Sequence, residues 1–257
     1  MTPPPLRVLI VDDEAPARAR LRALLDDIAG EQPNVVAGEA DNGLSALAQV
    51  EAARPSVVLV DIRMPKMDGV EFARHLARLP EAPAIIFATA YDSYAVEAFE
   101  LNAVDYLLKP VRAQRLAAAL GKARKAKPPP EEVLAALQPQ GRSHLSCHER
   151  GRLLLIPITD VRYLKADLKY VTARTEEREY LLDESLTHLE KEFAERFIRL
   201  HRSVLVARDA IIGFERGSGS DEGDANWLAL VRGLPEKLPV SRRQWPLVKS
   251  FARQLST

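Results

Sequence analysis

The stretch "VLVDIRMPKMDG", residues 58–69, carries the clearest structural signal in the chain. An unbroken apolar run stops at Asp61, and the turn-forming pairs Met64-Pro65 and Asp68-Gly69 follow. A short apolar run without alternation marks a strand buried on both faces. A carboxylate at the end of such a strand is costly unless its charge is compensated. The same grammar repeats outward in both directions. Strands are expected at Arg7–Val11, Val35–Ala40, Val57–Val60, Ala84–Ala88 and Val104–Leu108. Amphipathic helices are expected at Ala15–Ile28, Leu44–Ala53, Val70–Leu79, Ser93–Leu101 and Arg112–Lys125. Strand-then-helix units in this order build a doubly wound parallel sheet, with ligands at the carboxyl ends of its strands.

The pattern changes past "KARKAKPPPEEVLAALQPQG". Three consecutive prolines favour extended backbone, and Glu131–Leu137 reads as a short helix ahead of Pro139 and Gly141. Domains are therefore expected at 1–124 and 143–257, with a Pro-rich linker at 125–142. In the second domain short β-branched or aromatic runs are separated by turns, which reads as mostly antiparallel β. Only Ser185–Phe193 reads as a helix, with Ser185 its N-cap. A long acidic loop is expected at 215–226.

The net charge of zero conceals an asymmetry. Residues 1–122 carry 13 basic against 17 acidic side chains, whereas residues 140–257 carry 20 against 17. Different partners for the two halves are expected from this. The single cysteine, Cys147, excludes an internal disulfide framework and a multi-cysteine metal site. There is no apolar run of membrane-spanning length and no signal-peptide pattern at the N-terminus, so a cytoplasmic protein is expected.

Asp12 and Asp13 follow the first expected strand, and Asp61 ends the third. These strands neighbour each other in a doubly wound sheet, so three carboxylates converge. They remain ionised together only beside a compensating cation, and Mg2+ prefers such oxygen ligands. Lys109 ends the fifth strand in "LLKP", and Thr89 ends the fourth. Carboxylates, hydroxyl, ammonium and metal suit a phosphoryl group carried on Asp61, with catalysis by positioning and electrostatics. Taken singly, the acidic pair reads as a solvated turn and Lys109-Pro110 as an ordinary one. An aspartyl phosphatase would instead place its nucleophile, with a second Asp two residues later, after the first strand. Here that region reads "VDDEAP".

"VLIVDDE", "VLVDIRMPKMDG", "FATAY" and "VDYLLKP" resemble the receiver domain of two-component response regulators, over about residues 6–124. The resemblance implies the flavodoxin-like strand order 2-1-3-4-5. It further implies phosphorylation of Asp61 by a sensor histidine kinase. Mg2+ would be held by Asp12, Asp13, Asp61 and the backbone carbonyl of Arg63. Thr89 and Lys109 would contact the phosphoryl group, and Tyr106 would be an aromatic switch.

In the second half, Arg and His punctuate apolar residues in "RFIRLHRSVLVARDAI" and "KLPVSRRQWPLVKSF". A solvated strand face is the plain alternative to a polyanion-binding edge. With "IPITDVRYLKADLKYVTART" and "YLLDESLTHLEKEF", these segments resemble the LytTR DNA-binding domain of the LytR/AlgR regulators, over about 143–252. The resemblance implies small antiparallel sheets whose loops enter successive major grooves of double-stranded DNA. Lys169, Arg202 and Arg242 fall in the DNA-facing loops by position, and Lys165, Arg199, His201 and Arg243 are candidates for phosphates. The expected whole is a phosphorylation-controlled transcription regulator. It is a phosphoacceptor rather than an enzyme, and a homodimer when phosphorylated or DNA-bound. A regulator that binds DNA without phosphorylation is the alternative.

Overall fold

The computed structural model describes residues 3–90, 105–125, 134, 141–149, 152–167, 169–217 and 227–254. The chain divides into two compact units, Met1–Pro139 and Gln140–Thr257.

The first unit runs β1 (Leu6–Val11), α1 (Ala15–Asp27), β2 (Asn34–Ala40), α2 (Gly43–Ala53), β3 (Val57–Val60), α3 (Gly69–Ala77), β4 (Ala84–Thr89), β5 (Asp105–Leu108) and α4 (Ala113–Ala123). The sheet order is β2-β1-β3-β4-β5, and every pairing is parallel. β3 and β4 are buried along their whole length, as continuous apolar strands of a sheet covered on both faces should be. Side-chain caps start two of the helices. Asn42 accepts from the Ser45 N–H and Asp68 from the Glu71 N–H, each satisfying an orphan donor of the first turn. Helix ends fall within two residues of expectation, where terminal turns fray. The expected helix at Ser93–Leu101 lies outside the described residues.

The second unit holds β6 (His144–Glu149), β7 (Arg152–Pro157), β8 (Tyr163–Asp167), β9 (Tyr170–Arg174), β10 (Glu179–Leu182), α5 (Leu186–Glu192), β11 (Phe197–His201), β12 (Val204–Ala207), β13 (Ile211–Arg216), β14 (Trp227–Val231), β15 (Lys237–Val240) and α6 (Trp245–Gln254). These strands form sheets ordered β10-β9-β8-β12-β11, β13-β14-β15 and β6-β7, and their pairings are antiparallel. α5 lies where expected, with the Ser185 hydroxyl accepting from the His188 N–H. Arg142 is fully buried between the two ends of α5, its guanidinium 2.8 Å from Glu184 and 3.0 Å from Glu192.

Two expectations are corrected in this unit. "WPLVKSFARQ" is the helix α6 rather than strand. Pro246 is compatible with a first turn, and Val248 and Phe251 follow Trp245 at helical spacing on the packed side. The acidic loop begins later than residue 215, because β13 runs to Arg216, which pairs with Trp227. The rest of that loop, 218–226, lies outside the described residues. So does most of the expected linker at 125–142, in which Leu134 is helical and buried. No described helix is long and apolar enough to cross a membrane.

Candidate functional site

The site of the first unit is built at the carboxyl ends of β1, β3, β4 and β5. Val11 pairs with Val60, so the residues that follow them emerge side by side. The Asp61 N–H donates to the Val11 carbonyl at 2.8 Å, and the Asp12 N–H to the Ala40 carbonyl at 3.1 Å. These bonds fix both residues while their carboxylates project beyond the sheet. Asp12 is fully buried, Asp61 nearly so, and Asp13 exposed. One oxygen from each of the three carboxylates lies within 4.8 Å of the others.

Lys109 answers that negative charge. Its N–H donates to the Thr89 carbonyl at 2.9 Å, which sets the end of β5 against the end of β4. The side chain then reaches across the pocket. Its Nζ lies 2.6 Å from Asp61 Oδ2 and 2.7 Å from Asp12 Oδ2. The Lys109-Pro110 peptide is cis. Burial works against the ammonium charge, yet its bonds to Asp12 and Asp61 outweigh it and hold the Lys109 pKa above the ordinary lysine value. Burial also pushes the Asp12 carboxyl up, against the opposing pull of Lys109.

Thr89 is fully buried at the end of β4, and its hydroxyl has no hydrogen-bond partner among the described residues. A buried hydroxyl without a partner is costly, so the pocket has a polar group awaiting a ligand. Arg63 is exposed two residues beyond Asp61, and its N–H approaches Asp61 Oδ1 at 3.4 Å. Tyr106 is buried on β5, opposite Phe87 of β4. One ammonium against three carboxylates leaves the pocket short of positive charge. This donor set of hard oxygens fits a divalent cation such as Mg2+.

Gly69 belongs to the site, although the sequence marked it only as half of a turn. A Cβ at this position would lie 2.0 Å from the Asp61 carbonyl oxygen. Only a residue without a side chain lets α3 start this close to the end of β3.

In the second unit, backbone bonds bring separate basic turns to one end of the five-stranded sheet. The Ala166 N–H donates to the Ser203 carbonyl at 2.8 Å, joining the end of β8 to the β11–β12 turn. The Ser241 N–H donates to the Leu200 carbonyl at 2.8 Å, joining the turn after β15 to β11. Lys169 in the β8–β9 hairpin, Arg202 in the β11–β12 turn, and Arg242 and Arg243 after β15 are all exposed there. His201 braces the Arg202 turn, with Nδ1 2.8 Å from the Ser203 hydroxyl. Lys165 is exposed on β8, and its strand partner Val204 also pairs with His201, so Lys165 and His201 share a face.

Arg199, also in the expected set, engages a helix instead of the solvent. It pairs with the core residue Leu205 on the opposite face, and its guanidinium lies 3.2 Å from Glu190 of α5. The register shift between Arg199 and His201 in the β11–β12 pairing, which breaks the ordinary alternation, turns it away from the face that Lys165 and His201 occupy.

Comparison with known proteins accounts for both units. The profile of the response regulator receiver domain matches residues 8–121, and that of the LytTr DNA-binding domain matches residues 151–253. The chain is 42% identical to the positive alginate biosynthesis regulatory protein of Pseudomonas aeruginosa, over 97% of this chain and 100% of the relative. It is 35% identical to the transcriptional regulatory protein BtsR of Salmonella typhi, over 93% and 95% of the two chains. Its identity to the sensory transduction protein LytT of Bacillus cereus is 32%, over 96% and 99%.

Proposed function

Because the chain belongs to the LytR/AlgR family of response regulators, a receiver domain joined to a LytTR DNA-binding domain, we propose that phosphorylation of Asp61 switches its control of transcription. The domains span 1–124 and 143–257, joined by the linker at 125–142, and the protein works in the cytoplasm. The observation that carries this proposal is the Lys109 ammonium set between Asp61 and Asp12, beside a buried and unsatisfied Thr89 hydroxyl.

The donor is the phosphohistidine of a sensor histidine kinase. An Asp61 carboxylate oxygen attacks phosphorus, the P–N bond breaks, and its electron pair returns to the kinase imidazole. Lys109 stabilises the charge on the transferred group, and Thr89 donates its hydroxyl to a phosphoryl oxygen. Asp12, Asp13, Asp61 and the Arg63 carbonyl would hold Mg2+, which supplies further charge neutralisation when bound.

Drawing Thr89 toward the phosphoryl group biases the receiver between two states, with Tyr106 as the aromatic switch. The active state pairs two receivers, which places two LytTR domains on repeated half-sites of double-stranded DNA. The second half-site is then met at a raised effective concentration. Lys169, Arg202 and Arg242 meet base edges in successive major grooves, while Lys165, His201 and Arg243 serve phosphates.

Incubation with a small phosphodonor, with and without Mg2+, tests the first step. A Mg2+-dependent, acid-labile adduct of one phosphoryl group on Asp61 is expected, read by intact mass and peptide mapping. Label elsewhere, or label independent of Mg2+, contradicts the proposal. Repeated turnover of the donor without a stable adduct supports a phosphatase instead.

A further inference from the structure

We propose that Arg18 is a positioning residue for the pocket, holding the loop that presents Asp12 and Asp13. This inference rests on the phosphoacceptor function proposed above and assigns a role to a residue outside its ligand set. Arg18 lies on the first turn of α1, where the chain has just left the carboxylates. Its guanidinium turns back, and Nη1 donates to the Asp12 carbonyl at 2.7 Å and toward the Asp13 carbonyl at 3.4 Å. Its Nε faces Glu39 Oε2 at 3.6 Å, and the same Glu39 carboxylate also binds Arg22.

The physical need is specific. The β1–α1 loop carries two carboxylates toward a third, and their mutual repulsion tends to splay it. The Asp12 N–H is fixed by β2, and the Glu14 N–H donates to Asp12 Oδ1 at 3.0 Å. Neither bond holds the peptide carbonyls that set the direction of the loop. Arg18 engages both carbonyls from the helix side. A planar guanidinium anchored by Glu39 makes a rigid donor for this purpose, because less side-chain freedom remains to be lost.

This role and plain electrostatics predict opposite signs. Arg18 is a cation near a cation site, so by charge alone its removal should tighten divalent-cation binding. If it positions the loop, its removal weakens binding, as losing a partner behind the ligands does, by roughly 10–100-fold.

The test uses the full chain and Mn2+, counted as free ion by electron paramagnetic resonance, with Mg2+ as competitor. Arg18→Ala should bind Mn2+ roughly tenfold more weakly, within the range for such partners. Arg18→Lys, which restores a charged donor to the Asp12 carbonyl, should recover most of the affinity. Glu39→Gln should weaken binding in the wild-type background and have no effect once Arg18 is alanine. Unchanged or tighter Mn2+ binding by Arg18→Ala overturns the inference. So does a lysine variant as weak as the alanine variant, or a loss matched by an equal fall in metal-free thermal stability. Asp13→Ala separates this inference from the one beneath it. If Asp13→Ala binds Mn2+ like wild type, the proposed cation site itself fails. If it loses Mn2+ while Arg18→Ala does not, only the positioning role fails.

Discussion

At Gly69 the absence of a side chain allows the end of β3 and the start of α3 to share one space. An added Cβ would meet the Asp61 carbonyl oxygen at 2.0 Å and its carbon at 2.9 Å, both of them backbone atoms. Gly69→Ala is therefore expected to lower receiver stability by about 1–3 kcal/mol, the usual cost of overpacking. It should also displace Asp61 enough to slow its labelling by roughly tenfold or more, since misplacement of about 1 Å is that costly to a reacting pair. Thermal melting and the initial rate of labelling check this. Wild-type values for both would show that the close approach is relaxed without consequence. The residues that bear charge here were legible in the sequence, because a carboxylate or lysine at the end of an apolar strand is conspicuous. Arg18 was not legible. Its role comes from a guanidinium folding back on peptide carbonyls, and nothing in residue type or spacing marks that.

Among the elements, α5 is bound at both ends by one buried cation. The Arg142 guanidinium is fully buried against Glu184 and Glu192, which are themselves almost wholly buried. Arg142→Ala takes the buried guanidinium away from both carboxylates, a loss of about 3–5 kcal/mol by the usual cost of breaking a buried pair. The chain's only tryptophans, Trp227 and Trp245, stack in the same unit, so urea unfolding followed by their fluorescence reads it directly. A change below about 1 kcal/mol, the scale of an exposed pair, would show that water relieves these charges. The β8 residue Tyr163 supplies a pH dependence. Burial, then the Glu236 and Glu179 carboxylates, push its pKa from 10.0 up to about 12. A raised folded-state pKa gives stability that is full below pH 10 and lost as pH rises through about 12. The melting advantage of wild type over Tyr163→Phe should accordingly shrink between these values, and a constant difference would contradict it. The parallel strands were legible because continuous apolar runs have few other uses. α6 was not, because "KLPVSRRQWPLVKSF" places a true strand, β15, directly before the helix, and Pro246 resembles a break rather than a first turn.

At the scale of the whole molecule, the two halves were legible from a change in hydrophobic period and sign of charge across the proline run. The gathering of the basic turns was not, because it depends on antiparallel pairings between distant strands. That gathering separates two kinds of contact on the proposed interface. Arg242→Ala should weaken binding to the specific site by about 1–3 kcal/mol and relax one base preference, the scale of a lost bidentate base contact. Arg243→Ala should weaken specific and random DNA about equally and lower the salt slope by roughly 1. Titrations of both variants against salt, on both kinds of DNA, check this. Equal effects from the two substitutions would mean that neither arginine reads sequence. In the proposed function, the state of Asp61 governs the DNA-binding half. The decisive measurement is the affinity of the full chain for a DNA fragment selected by the protein itself, before and after a phosphodonor with Mg2+, with Asp61→Asn alongside. Tighter binding by wild type after the donor, with no change in Asp61→Asn, is the predicted result. Equal affinity in all four measurements, with Asp61 verified as phosphorylated, would contradict it.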